Sequence, residues 1–316
     1  MKITRLAVTA MVIAVLSMLA TGLANAQPPK CDTQITACGC TIGASGSYTV
    51  ENALDYSQGL TLKNDCIDIT ASRVDLYAYN YITGPGTDPT CSSSTPKKNA
   101  GVGIHVLPGA ENVSIYLDDY DVCGWNYGLE SEGSNINWYE PGSYYNNVGM
   151  LLKNATGNDV LYGYFADNIT GLEITGGSGN SINDGEAYYN TQYGYWLNGT
   201  KGNTVSGDGG YGNKIAGFYL GCNSTGNVNP LIPCTTTTTT GNSLQGNGAY
   251  GYVGTYPQKY GIAVERGSID NTFIENDLYY NSSDRNKVDI IDGNGNCDYN
   301  TYLDDTYNTK SPKCIQ

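Results

Sequence analysis

Two short patterns of apolar and polar residues repeat along most of the chain. The first runs glycine, apolar, variable, apolar, as in Gly103-Ile-His-Val and Gly194-Tyr-Trp-Leu. Alternation with period two is typical of a β-strand that buries every second side chain. The pattern therefore predicts a series of short strands whose variable position faces solvent. Its copies begin at Gly103, Gly128, Gly149, Gly171, Gly194, Gly217 and Gly261.

The second pattern is an asparagine two residues before an apolar side chain, and Val113 and Ile136 extend its apolar column upstream. Most neighbouring copies lie about 22–24 residues apart, and the longer steps fit the same unit carrying an insertion. Asparagine suits a tight bend because it tolerates the left-handed region and its amide can bond to an identical amide in the next coil. These asparagines are Asn158, Asn180, Asn203, Asn242, Asn271 and Asn300. Another asparagine column comprises Asn146, Asn168, Asn190, Asn213 and Asn281.

Short repeated strands without helical periodicity between them predict a solenoid. In a parallel β-helix each strand pairs with its copy in the next coil, about 4.8 Å away, so residues one period apart become neighbours. We therefore predict an all-β fold, a right-handed parallel β-helix with coils of about 22–24 residues.

These residues resemble the right-handed parallel β-helix repeat family of pectate-lyase-like fold, which includes pectate lyases, polygalacturonases and carbohydrate-binding or sugar-hydrolysis domains. The resemblance extends from about residue 31 to residue 316. It starts with Gly46-Ser-Tyr-Thr-Val50, and its last segment, Asp292 to Cys314, is similar to a terminal coil held by a disulfide. The resemblance implies that functional groups lie on outward positions of adjacent strands. It does not select one activity, because this fold hosts lyases, hydrolases, adhesins and non-enzymatic proteins.

The chain is predicted to contain a signal peptide and one domain. Residues 1–26 combine basic residues, an apolar run and the small-residue segment Ala24-Asn-Ala26, which is typical of a secretory signal cleaved before Gln27. Residues 27–316 then form a single β-helix domain, with surface insertions near 84–99 and 222–241. No later stretch has the ~20 apolar residues of a transmembrane helix, so no membrane span is expected. The mature protein is predicted to be secreted or periplasmic.

All ten cysteines follow the predicted cleavage position, and an even number in an exported chain favours disulfides. Two pairs would each close a short loop: Cys222 with Cys234, and Cys297 with Cys314. The pairing as a whole is left open by the sequence. One histidine and one closely spaced cysteine pair do not form a zinc pattern, so no structural metal is predicted.

Acidic residues dominate the charge of the chain. Removal of Lys2 and Arg5 would reduce the 16 basic residues to 14, against 30 acidic ones, for a net charge of −16. This balance excludes nucleic acid as an expected partner, since phosphate binding needs concentrated positive charge. An acidic polysaccharide is disfavoured unless calcium bridges it. Asp184, Glu186 and Asp208, on successive coils, are candidate calcium ligands.

Candidate site residues come from the variable position of the glycine pattern. Trp196 and Tyr219, if exposed one coil apart, would form an aromatic platform for sugar rings, with His105 as a polar contact. Glu130 and Glu173 lie two coils apart, ~9.6 Å along the solenoid, near the carboxyl separation of inverting glycosidases. They are the candidate catalytic pair. In order along the chain, this position holds His105, Glu130, Leu151, Glu173, Trp196, Tyr219 and Ala263.

Three functional hypotheses follow from this strip. The leading one is a secreted β-helix that binds a polysaccharide or cell-surface glycan along its strand face. The second is a polysaccharide lyase or glycoside hydrolase that uses Glu130 and Glu173. The third is a non-catalytic structural or adhesive surface protein, in which the strip is ordinary solvated surface.

Overall fold

The computed structural model describes residues 28–56, 65–85, 90–91, 100–118, 121–222, 238–251, 256–278, 286–294, 299–313 and 315. The predicted signal peptide, Asn281 and most of both predicted insertions lie outside these residues. In the described part of the chain, no helix has the length and apolarity needed to cross a bilayer.

Within the described residues, the strands form three sheets, here called A, B and C, in which every pairing is parallel. Sheet A comprises β1 (Cys40–Ile42), β4 (Ile67–Ile69), β7 (Val102–Val106), β10 (Tyr127–Ser131), β13 (Val148–Lys153), β16 (Thr170–Thr175), β19 (Tyr193–Asn198), β22 (Ala216–Leu220), β25 (Gln258–Val264), β27 (Asn286–Asp292) and β29 (Lys310–Ser311). Sheet B comprises β2 (Gly46–Val50), β5 (Val74–Ala78), β8 (Glu111–Tyr116), β11 (Ser134–Tyr139), β14 (Asp159–Leu161), β17 (Ser181–Asn183), β20 (Thr204–Ser206), β23 (Ser243–Gln245), β26 (Thr272–Ile274) and β28 (Thr301–Leu303). Sheet C comprises β3 (Leu54–Asp55), β6 (Ile82–Thr83), β9 (Asp121–Cys123), β12 (Gly142–Tyr144), β15 (Tyr164–Ala166), β18 (Glu186–Tyr188), β21 (Gly209–Tyr211) and β24 (Gly248–Tyr250).

From β1 to β25 the chain visits sheets A, B and C in rotation, and the last described strands alternate between sheets A and B. Each strand pairs with its counterpart one coil away. This connectivity is that of a parallel β-helix, and the predicted fold class is confirmed. Equivalent inward residues stack from coil to coil: Leu129 pairs with Met150, Met150 with Leu172, and Leu172 with Tyr195. All four are fully buried. Burial of such side chains, at about 1.5–3 kcal/mol each, supplies a core that is continuous along the solenoid.

The glycine that recurs at the start of this pattern has a steric cause in sheet A. A Cβ atom at Gly128 would lie 2.1 Å from Ser143 Oγ and 2.7 Å from the backbone oxygen of Gly149. A Cβ atom at Gly149 would similarly lie 2.5 Å from the backbone oxygen of Gly171. Glycine therefore lets consecutive coils approach at the start of the sheet A strands.

Asparagine ladders follow the corners of the coils, as the spacing predicts. Asn180 N–H donates to Asn203 Oδ1 at 3.0 Å, and Asn203 N–H donates to Asn242 Oδ1 at 3.0 Å. A second ladder joins Asn146, Asn168, Asn190 and Asn213 in consecutive coils. It continues from Asn213 to Gln258 and from Gln258 to Asn286. The sequence placed Asn281 in that ladder, and Asn281 lies outside the described residues.

A third ladder was missed by the sequence analysis. It runs through Asp208, Asn247, Asn276 and Asp305, where each backbone N–H donates to the side-chain oxygen one coil later. This column has aspartate instead of asparagine at both ends, so the spacing of asparagines did not reveal it.

One predicted register is wrong. Val160 pairs with Trp138, and Trp138 with Ile115, so Ile136 and Val113 lie two residues before the column to which they were assigned. The reason is strand length: β8 and β11 have six residues each, whereas β14 has three. The longer strands carry an extra buried apolar residue where later coils have a corner asparagine.

Disulfides connect the first coils of the solenoid. The observed pairs are Cys31 with Cys40, Cys38 with Cys66, and Cys91 with Cys123. Cys222 is also disulfide-bonded. The predicted partner Cys234, and the predicted pair Cys297 and Cys314, lie outside the described residues.

Candidate functional site

The variable positions of the glycine pattern form one column on the outer face of sheet A, in the predicted register. Asp68 pairs with His105, and His105 with Glu130. Leu151 separates Glu130 from Glu173, so these two glutamates lie two coils apart. The column continues through Trp196, Tyr219, Ala263 and Ile291.

His105 lies at the centre of a group of ionisable side chains. Its Nδ1 atom is 2.9 Å from Asp65 Oδ2 and 3.8 Å from Asp68 Oδ1, and its Nε2 atom is 3.3 Å from Glu132 Oε1. Both ring nitrogens therefore face carboxylates. We call Asp65, Asp68, His105, Glu130, Glu132 and Lys153 the His105 cluster.

The surroundings of His105 favour its protonated form. Burial alone would lower the pKa of the imidazole, but the hydrogen bond with Asp65 and the negative charges of Glu130, Asp65 and Asp68 outweigh it, and the pKa is raised. Burial and the neighbouring Asp65 raise the pKa of Asp68 to about 6. The Asp68 carboxyl can thus gain or lose a proton near pH 6.

Lys153 joins the two glutamates of the cluster. Its Nζ atom lies 3.5 Å from Glu130 Oε1 and 3.2 Å from Glu132 Oε2. Burial raises the pKa of Glu130, although His105 and Lys153 oppose that rise. Burial lowers the pKa of Lys153, but the two carboxylates outweigh this effect and raise the pKa overall.

Glu173 forms a separate polar group two coils farther along. Its Oε1 atom accepts hydrogen bonds from Thr175 Oγ1 and, at 3.1 Å, from Asn198 Nδ2. Burial raises the pKa of Glu173, and these two hydrogen bonds reduce the rise. The structure therefore places His105 and Glu130 in one cluster and leaves Glu173 outside it.

The prediction that the outer column faces solvent is wrong for three site residues. Glu130, Trp196 and Tyr219 are only 4%, 6% and 0% exposed. Trp196 and Tyr219 belong to a buried outer cluster with Tyr193 and Tyr260, and Trp196 Nε1 donates to the backbone oxygen of Gly221 at 2.9 Å. An open aromatic platform for stacking a sugar ring is absent at these two side chains, so their role in carbohydrate binding stays a prediction.

Two overlapping groups have the donors and spacing to hold a metal ion. Asp65, Asp68 and His105 form one, and His105, Glu130 and Glu132 the other, each with one ligand atom per residue within 4.8 Å of the others. A divalent cation that accepts nitrogen and oxygen ligands fits this donor set. Among the described residues, the calcium ligands predicted at Asp184, Glu186 and Asp208 do not form such a group. The reason is orientation. The Asp208 side chain is buried and accepts a hydrogen bond from the Tyr195 hydroxyl, whereas the side chains of Asp184 and Glu186 are exposed to solvent.

Asp65 and Asp68 were missed by the sequence analysis as site residues. Asp68 lies in Cys66-Ile-Asp-Ile69, which has the apolar alternation of the repeat without its glycine. Aligning this segment with Gly103-Ile-His-Val would have placed Asp68 beside His105. Asp65 lies before strand β4, outside the repeated pattern, so the repeat does not predict its contact with His105.

Comparisons with known proteins support the fold. No protein-family model and no curated protein sequence matches the chain. Among solved structures, the periplasmic alginate epimerase AlgG has 15% identity and a TM-score of 0.52, over 84% of this chain and 68% of that one. The Dettilon tailspike protein (gp208) has 13% identity and a TM-score of 0.48, over 85% of this chain. The Azotobacter vinelandii mannuronan C-5 epimerase AlgE4 A-module has 12% identity and a TM-score of 0.43, over 84% of this chain and 85% of that one.

The chain spans 60% of the tailspike structure that it matches. Since the identity with the AlgG structure is far below 25%, that likeness shows the parallel β-helix fold alone.

Proposed function

We propose that this protein is a secreted β-helix that binds a neutral glycan across the His105 cluster and cleaves it by acid–base chemistry. The supporting observation is the pair Glu130 and Glu132, whose nearest carboxylate oxygens lie within 4.8 Å of each other and of a His105 nitrogen. Retaining glycosidases hold their two carboxyl groups about 5–5.5 Å apart. This pair suits that chemistry better than Glu130 and Glu173, which are separated by a full coil containing Leu151.

The two glutamates have different surroundings, as an acid and a nucleophile require. Glu130 is buried and its raised pKa favours a proton that it can donate to the leaving oxygen. Glu132 lies between His105 and Lys153, 3.3 Å from the imidazole Nε2 atom and 3.2 Å from the Lys153 Nζ atom. In the proposed mechanism Glu132 attacks the sugar carbon, Glu130 protonates the leaving group, and Glu130 then activates the water that releases the product.

The charge of this face supports a neutral substrate. Four carboxyl groups, from Asp65, Asp68, Glu130 and Glu132, surround two basic side chains, His105 and Lys153. AlgG acts on alginate, which is anionic, and an anionic chain would be repelled here unless cations screened it. The disulfides are typical of an oxidising compartment and accord with the predicted export.

A second candidate is glycan binding without cleavage, which was the leading hypothesis from sequence. It is favoured by the low exposure of the Glu130 side chain, 6%, beside 44% for Lys153. A sugar would then contact the more accessible groups, Lys153 and Glu132, without reaching the buried acid.

The test is a binding and depolymerisation screen with purified protein. Neutral glucans, xylans and mannans, and polygalacturonate, are incubated with calcium or with a chelator, and binding and new reducing ends are measured. We expect reducing ends from a neutral polymer. Glu130→Gln and Glu132→Gln should abolish cleavage and retain binding, whereas Glu186→Gln, an exposed position on sheet C, should change neither.

Saturable binding without new ends would establish the second candidate. Unsaturated ends would instead indicate a lyase. Absence of any saturable ligand would overturn both candidates and favour the structural or adhesive role.

A further inference from the structure

A second surface feature lies on the outer face of sheet B, where tyrosines from three consecutive coils stack. Tyr77 pairs with Tyr116, and Tyr116 with Tyr139. The ring centroids are 4.7 and 4.6 Å apart, with interplanar angles of 6° and 5°. Tyr79 continues the arrangement at the corner, 6.2 Å from the Tyr77 ring and 16° from parallel. Its side chain is 42% exposed.

Two acidic residues stand at the same corner. Asp118 and Glu140 follow strands β8 and β11, and both have left-handed backbone angles, with φ of 46° and 50°. This conformation turns the chain sharply out of sheet B. Together with the four tyrosines they line a hollow of about 370 Å³. We call these six residues the tyrosine groove. A volume of this size lies within the usual range for small-ligand sites.

The stack alone explains part of this arrangement. Aromatic pairs on neighbouring strands stabilise a sheet, so the three stacked tyrosines stabilise sheet B whatever else they do. That contribution does not require an exposed fourth tyrosine or two carboxylates around a hollow. Outward stacking also occupies the ring faces, which excludes an aromatic cage for a cation at the central rings.

The groups that remain available are ring edges, phenol oxygens, two carboxylates and the exposed ring of Tyr79. Carboxylates and phenols accept or donate hydrogen bonds to hydroxyl groups, and a tyrosine ring packs against the apolar face of a sugar. Among the described residues that line the hollow there is no lysine or arginine, and the two charged groups, Asp118 and Glu140, would repel an anionic sugar. The chemistry therefore matches a neutral polyhydroxylated ligand.

We propose that the tyrosine groove is a second carbohydrate-binding site, specific for neutral saccharides and separate from the His105 cluster on sheet A. It binds without cleaving and anchors the protein on its polymer. The proposal goes beyond the activity proposed for sheet A, because binding in this groove does not need Glu130 or Glu132.

The test is isothermal titration of the full chain with hexasaccharides of β-1,4-linked glucose, xylose and mannose. Oligogalacturonate and oligomeric glucosamine serve as the anionic and cationic probes. Tyr79→Ala, Asp118→Asn and Glu140→Gln are compared with Tyr299→Ala, another half-exposed tyrosine outside the groove. Asp118 is exposed and Glu140 only partly buried, so the two carboxyl variants should fold even if Tyr79→Ala does not.

We expect one neutral hexasaccharide to bind, with an affinity at least about 10-fold weaker in each groove variant and unchanged in Tyr299→Ala. Unchanged affinity in the folded groove variants would overturn the proposal. So would binding of none of the neutral hexasaccharides, or preference of the groove for the anionic or cationic probe. Weaker hexasaccharide binding in Asp118→Asn and Glu140→Gln, with cleavage retained, would separate this site from the one on sheet A.

Discussion

Asp208 is a carboxylic acid at a position of the third ladder where the next two coils have asparagine, Asn247 and Asn276. Its Oδ1 atom accepts hydrogen bonds from Gly185 N–H at 2.8 Å and from the Tyr195 hydroxyl at 3.1 Å. Its Oδ2 atom is buried and has no hydrogen-bond partner among the described residues. In the following coils, Asn247 and Asn276 use the equivalent side-chain nitrogen to donate to a backbone oxygen one coil upstream.

By the same register, the acceptor for residue 208 is the backbone oxygen of Ile182, which pairs with Val205. A protonated Asp208 can donate to that oxygen, whereas an ionised one cannot. Burial raises the pKa of Asp208 from 3.8 to about 7. The difference of about 3 pH units corresponds to a penalty of about 4 kcal/mol when the folded protein must ionise this group.

The sign of the effect follows from proton counting. Below about pH 4, the folded and unfolded chains both hold the proton, and there is no penalty. Between about pH 4 and pH 7 the folded chain holds a proton that the unfolded chain has lost, so stability falls as pH rises. Above about pH 7 the full penalty applies.

Asp208→Asn should therefore stabilise the protein most at alkaline pH. We expect the free energy of unfolding in urea to rise by about 4 kcal/mol at pH 9 and by about 1 kcal/mol or less at pH 4, where the folded protein keeps Asp208 protonated and the ionisation penalty is nearly absent. Asn247→Asp is the matched control and should introduce a loss of stability that grows with pH. An equal gain at both pH values, or none at pH 9, would refute the reasoning.

Three further outcomes are expected. Gly128→Ala should destabilise the protein by at least about 2 kcal/mol because its Cβ would overlap a backbone oxygen, whereas Gly43→Ala, whose nearest other atom is 3.9 Å away, should be tolerated in the same thermal unfolding assay. Asn203→Ala should cost about 2–4 kcal/mol in urea unfolding, because it removes the acceptor of two Asn180 donors, and an unaltered midpoint would contradict this. If Glu130 is the acid, the rate of glycan cleavage should fall as pH rises through its raised pKa, and the pH–rate profile of Asp68→Asn should keep that alkaline limb.

Residues that repeat could be placed from the sequence, because one period fixes both spacing and neighbour. The outer column from His105 to Ala263 has its predicted register, and so do the asparagines from Asn158 to Asn300. Val113 and Ile136 were misplaced because alternation with period two gives the same buried pattern when a strand is shifted by two residues.

The accessible part of the site could not be predicted in this way. Alternation tells which side chains leave the core, but it does not tell whether that outer face is covered, and Trp196 and Tyr219 are buried there. Asp65 reaches His105 from a loop outside the repeat, so only the folded chain brings the two together. The distance between the Glu130 and Glu132 carboxylates depends on the side-chain rotamers that bring both to Lys153, and a residue pattern does not predict rotamers.

The corner asparagines also determine where this molecule can change length. Asn203 bonds to Asn242 across 39 residues at the same 3.0 Å that joins Asn180 to Asn203 across 23. An added segment between sheets A and B therefore leaves the coil-to-coil contacts of the next turn in register. For protein engineering, this makes the corner after sheet A a suitable place to graft loops of different lengths and sequences. Such loops would begin next to the outer face that carries the His105 cluster, so ligand preference could be varied while the core is kept.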